Sequence, residues 1–182
     1  MSVDTLVSRI IESEKFRINY NNLLVQSVRS QIPNIETADN TNLEIDWGYL
    51  ISCASIMVQS SDGKVLDIVY RICQTTVSST LPQEYKNASA MLFDRLSNSS
   101  AIKLSKARHY IQDNYMDEIP LGVVFDVKQK QFANTILDGD TPIVLNSFQK
   151  EVYSSFDDNQ TITISAPTSA GKSFILLHLL TN

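Results

Sequence analysis

Near its C-terminal end the chain reads Ala166-Pro167-Thr168-Ser169-Ala170-Gly171-Lys172-Ser173, after the β-rich residues 161–165 and before the apolar run 174–180. The octapeptide fits the phosphate-binding pattern G-x-x-x-x-G-K-[ST], with Ala166 standing in for the first glycine. Such a loop works only between a strand and a helix, and that order constrains the fold more than any other feature here. Each residue type has a chemical reason. Small residues let the backbone wrap a phosphate with several N–H groups pointing inward. The start of the following helix adds free N–H groups and a partial positive charge. Lys172 carries a full charge to the β- and γ-phosphates, and the Ser173 hydroxyl is suited to ligate Mg²⁺. The expected ligand of Ala166, Pro167, Thr168, Ser169, Ala170, Gly171, Lys172 and Ser173 is therefore a nucleoside triphosphate with Mg²⁺, with Lys172 the group that acts on its phosphates.

Gln149 lies 23 positions before Lys172, in Leu145-Asn146-Ser147-Phe148-Gln149-Lys150-Glu151. A carboxamide offers one donor and one acceptor face, which match N7 and N6 of adenine. The same residue has a second reading. Asn146 followed three residues later by Gln is a capping-box pattern that would start a helix. Together, Ala-Pro-Thr-Ser-Ala-Gly-Lys-Ser and Leu-x-x-x-Gln resemble motif I and the adenine-reading element of superfamily 2 helicases, the Ski-type DExH branch above all. The resemblance covers about residues 143–182. It implies a RecA-like domain, ATP and Mg²⁺ as cofactors, Gln149 as the adenine-reading residue and an ATP-dependent helicase or translocase activity. It also implies a DNA or RNA partner, held by regions beyond this chain. Phe132 is a candidate for stacking on adenine, with a core position as the competing expectation. The 182 residues contain no acidic DExH-type box, and nothing after Ser173 is acidic. The chain ends at Asn182 inside the helix that follows the loop, so the expectation is the first part of a RecA-like domain, inactive as an ATPase by itself.

The preceding sequence has a different character. Val3, Leu6, Val7, Ile10, Ile11, Ile18, Leu24, Val25 and Val28 recur at three- and four-residue spacing and predict one long helix over 3–30. Further helices are predicted over 46–60, 64–79, 84–97 and 100–112, separated by Ser60-Ser61-Asp62-Gly63, by Pro82 and by short polar breaks. Short breaks imply antiparallel packing, and no fixed-period repeat supports a solenoid. Residues 113–142 read as a connection. Within it, 122–137 fit either strand (Val123-Val124-Phe125) or helix (128–137), and Asp138-Gly139-Asp140-Thr141-Pro142 is a turn. A helix follows, with Leu145, Phe148, Val152 and Phe156 on one face. The expected fold is mainly α: a helical accessory domain over 1–112, a connection over 113–142, and the first helix, strand, phosphate loop and helix of a RecA-like α/β domain over 143–182.

Charge and cysteine usage bound the partners. Residues 1–110 hold 11 Lys+Arg against 11 Asp+Glu, whereas 111–182 hold 4 against 9, so the acidic end is unsuited to grip a phosphate backbone alone. Lys103, Lys106, Arg108, His109 and Tyr110 form a basic stretch that reads as solvated helix surface. Cys53 and Cys73 lie 20 residues apart with no pairing pattern and read as small buried apolar side chains. His178 reads as a packed residue. No apolar run is long enough to span a bilayer, and Met1-Ser2-Val3-Asp4 does not begin a secretory signal, so the expected location is cytoplasmic with no membrane partner. Two alternatives to a helicase stay open: a helical module that docks a protein partner through residues 1–112, or a phosphate-loop ATPase of another kind.

Overall fold

The structure is a computed structural model that describes residues 2–31, 43–117, 119–157, 161–164 and 172–181. Among these the chain is mainly helical, with nine helices and a single two-stranded sheet. It divides into two compact units. The first comprises Met1–Phe93 and Ser100–Glu118; the second comprises Asp94–Ser99 and Ile119–Asn182.

In the first unit the expected long helix is two: α1 (Val3–Glu12) and α2 (Glu14–Gln31). Ser13 separates them with extended backbone (φ −62°, ψ 128°), its N–H bonding the carbonyls of Arg9 and Ile10 while its own carbonyl accepts from Arg17. Serine competes well for such local bonds and favours caps over helix interiors, and one extended residue is enough to re-aim the apolar face. Val7 and Phe16 are consequently both buried. α3 (Trp47–Met57) starts at Asp46, whose carboxylate accepts from the Tyr49 N–H at 3.0 Å and pairs with Lys15 at 2.8 Å. α4 (Gly63–Ser78) starts at Asp62, which accepts from the Lys64 N–H at 2.8 Å. α1, α2, α3 and α4 pack on one another around Leu23, Leu50, Ala54, Met57, Val69, Ile72 and Cys73. α5 (Gln83–Arg95) sets Phe93 against the Tyr70 ring, 5.8 Å between centroids. α6 (Ser99–Ala107) ends in a Schellman motif: Tyr110 N–H bonds the Ser105 carbonyl and His109 N–H the Lys106 carbonyl, with His109 at φ 56°. No strand occurs among the described residues of this unit.

The second unit starts earlier than residue 143. The supposed connection contains α7 (Leu121–Ala133) and a hairpin of β1 (Thr135–Asp138) and β2 (Thr141–Val144). Val123-Val124-Phe125, for which strand was the expectation, lie inside α7, and the helix expected over 128–137 stops at Ala133, with Thr135–Leu137 in β1 instead. The β-branched pair is overridden by the helix around it. The predicted turn is the hairpin loop, pairing Asp138 with Thr141, and Gly139 takes φ 57°, where a primed two-residue turn needs glycine. Side-chain bonds fix α7 to Asp94–Ser99: Gln131 donates to Asp94 at 3.0 Å, Asn134 to Ser97 at 3.1 Å, and Arg95 pairs with Asp126 at 3.3 Å. α8 (Ser147–Asp157) and α9 (Lys172–Thr181) complete the unit. Ile136, Leu145, Val152 and Ile175 form its core, with Ile143, Phe148, Tyr153, Ile164 and Leu179 packed against them.

Residues 161–164 were expected to be a strand and are not. Among the described residues they pair with no strand, since the only sheet is β1–β2. A β-rich sequence becomes a strand only where a neighbour supplies the ladder. No helix among the described residues is long and apolar enough to cross a membrane.

Candidate functional site

α9 begins at Lys172, the lysine of the phosphate-binding pattern, and Ser173 follows in its first turn. Lys172 is partly buried and Ser173 is exposed. Ala166, Pro167, Thr168, Ser169, Ala170 and Gly171 lie outside the described residues. On either side of them the chain is anchored in one core, because Ile164 packs on the same apolar cluster as Ile175 and Leu179.

α8, which carries Gln149, packs against α9, which carries Lys172 and Ser173. At the start of α8 the two readings of Gln149 meet a definite geometry. The Asn146 N–H donates to Gln149 Oε1 at 3.0 Å, and the Gln149 N–H donates to Asn146 Oδ1 at 2.8 Å. This reciprocal pair is a capping box with asparagine at the cap position, and it satisfies two backbone donors that the first helical turn would otherwise leave open. Gln149 is 9% exposed.

His178 is packed, as expected, on α9. Its Nδ1 lies 3.6 Å from Asp138 Oδ2 of the hairpin, and its ring is stacked with Phe174 and tilted to Tyr153, with centroids 6.4 and 6.1 Å away. Forty residues of sequence separate His178 from Asp138, and neither carries a spacing signal that would have joined them. Phe132 differs from the core position that competed with stacking: it is 85% exposed on α7. In the basic stretch Lys103, Arg108 and His109 are exposed, whereas Lys106 is engaged with Asp113 at 3.4 Å and lies over the Tyr115 ring. Both cysteines are buried and unpaired, and burial raises their thiol pKa values. Among the described residues no group of three or more His, Cys, Asp or Glu gathers to hold a metal.

No protein-family model, curated protein or solved structure matches the chain.

Proposed function

We propose that this chain is the N-terminal part of an ATP-dependent nucleic-acid helicase or translocase of the Ski-type kind. In this reading residues 143–182 open a RecA-like ATPase domain, and residues 1–112 form a helical accessory domain with a surface for a protein partner. The observation that carries it is α9, a helix opening at Lys172 and sharing one apolar core with Ile164 upstream of the loop. That arrangement supports a helix N-terminus at the exit of the loop, the anion-binding half of a phosphate cradle, while the strand flank on the entry side is not formed by the described residues 161–164.

ATP with Mg²⁺ supplies the phosphoryl group that such an enzyme transfers. The residues present fit it: Lys172 sits at the helix start, where its ammonium adds to the partial positive charge, and Ser173 exposes a hydroxyl one residue later. Lys172 would neutralise β- and γ-phosphate charge, Ser173 would ligate the metal, and the Gln149 carboxamide would read adenine N6 and N7. The nucleic acid would be held by regions other than these 182 residues.

Equilibrium binding of a fluorescent ATP analogue to the chain tests the reading. Mg²⁺-dependent binding should fall roughly 10–100-fold in Lys172→Ala, the loss of a charge-assisted bond of about 1.5–3 kcal/mol. Equal binding by parent and variant would reject the phosphate site. Turnover by the isolated chain should be absent, because it holds no carboxylate box to position water. Hydrolysis abolished by Lys172→Ala would show a complete ATPase. The capping box at Gln149 favours a second reading, a phosphate-loop ATPase outside the helicases, since it accounts for Gln149 without a base.

A further inference from the structure

Three large apolar side chains of α7 stand in solvent: Leu121, Phe125 and Phe132, exposed by 86%, 70% and 85%. At 3.6 residues per turn they share an arc of about 60° with the exposed Lys128, well away from Val127, the residue α7 buries. The spacing of 121, 125, 128 and 132 is four, three, four, which is the seam of a two-helix coil. It is also symmetric about the point between Asp126 and Val127. A two-fold axis through that point lays two antiparallel copies of α7 together with Leu121 on the partner's Phe132 and Phe125 under the partner's Lys128. Apolar meets apolar at both ends, and each ammonium meets an aromatic face instead of a second ammonium.

We propose that α7 is a self-association surface, pairing antiparallel with α7 of a second copy of this chain. A strand of nucleic acid fits less well. The face brings one cation, Lys128, already bonded to Gln131 Oε1 at 3.3 Å, and residues 111–182 carry excess acid. The groove of an unrelated protein would place no symmetry on the anchors. Three apolar side chains a copy bury about 900 Å² over both copies, under the 1,200–2,000 Å² of a standard interface, so the dimer is weak and reversible.

Sedimentation equilibrium of the whole chain over a range reaching about 1 mM should show a monomer–dimer equilibrium with Kd on the order of 100 µM. Phe125→Asp and Phe132→Asp should each weaken it by roughly tenfold or more, with unchanged helical circular dichroism because both side chains are exposed. Register is read from cross-linking: a mixture of Leu121→Cys and Phe132→Cys chains should form a disulfide faster than either alone, the native thiols being buried. A monomer at the highest concentration overturns the proposal, whether or not the monomer binds another protein or a labelled oligonucleotide through Phe125. So does a dimer indifferent to both aspartates, or Leu121→Cys linking to itself as fast as the mixture.

Discussion

His109 holds a left-handed backbone at φ 56° to close α6, a conformation that costs a residue with a β-carbon roughly 1–2 kcal/mol more than glycine. His109→Gly should therefore raise stability by about 1 kcal/mol, seen as a higher melting temperature; a lower one would mean that the imidazole makes a compensating contact. Ser89 presents a second residue-scale cost. Its hydroxyl is buried and has no hydrogen-bond partner among the described residues, and an unpaired hydroxyl in a mutational setting costs about 1–3 kcal/mol. Ser89→Ala should be neutral or stabilising in urea titration, and a loss above about 1 kcal/mol would reveal a bond at that oxygen. Asp46 gives the chain an acid-sensitive joint. The Lys15 hydrogen bond, and then the Tyr49 N–H, hold its carboxyl below the usual 3.8. A carboxyl lowered in the folded state adds stability above its unfolded pKa and loses it as pH falls through the folded one. Asp46→Asn should accordingly flatten the stability profile below about pH 4 and leave pH 5–8 little changed in slope. An unaltered acid limb would place the sensitivity elsewhere.

The capping box of α8 is where element-scale structure and candidate chemistry overlap, and two substitutions separate them. Gln149→Ala removes the acceptor for the Asn146 N–H and should cost about 1 kcal/mol of stability. Gln149→Glu keeps an acceptor at the same place but has no amide donor for adenine N7. If Gln149 reads the base, the Glu variant should retain stability while its preference for ATP over GTP analogues drops by about 1–3 kcal/mol. A preference unchanged in the Glu variant leaves Gln149 only its cap. Element identity was largely legible: the apolar spacing of α3, α4, α5, α8 and α9 is a local property that packing then used. What escaped the sequence was non-local. Ser13 breaks a helix whose apolar rhythm lapses between Ile11 and Phe16, a weak signal beside nine well-spaced apolar residues. The turn at Gly139 was legible, but the β1–β2 pairing it serves was not, because Thr135 and Pro142 carry no mark of their partners. Residues 161–164 show the reverse, a strand-like composition with no ladder among the described residues. At the site, Lys172 at a helix start and the Asn146–Gln149 box were both readable from spacing. The His178–Asp138 contact was not, since tertiary packing alone brings it about.

At the scale of the whole molecule the chain carries two separate cores, one around Ile72 and Leu50, the other around Leu145 and Ile175. Ile72→Ala and Leu145→Ala should each cost about 2–5 kcal/mol, because both side chains are fully buried. Hydrogen exchange followed by peptide mass should localise the first loss to residues 1–93 and the second to 119–182. Equal deprotection of both by either substitution would make the chain one cooperative block. The two thiols give that division a built-in reporter. Cys53 and Cys73 are the only cysteines in the sequence, and both lie in the first unit. Burial hides them and, with their raised pKa values, suppresses the reactive thiolate. A thiol-alkylating probe therefore clocks the opening of the first unit alone, and stays silent while the second one breathes, so the native chain distinguishes the two motions without an added label.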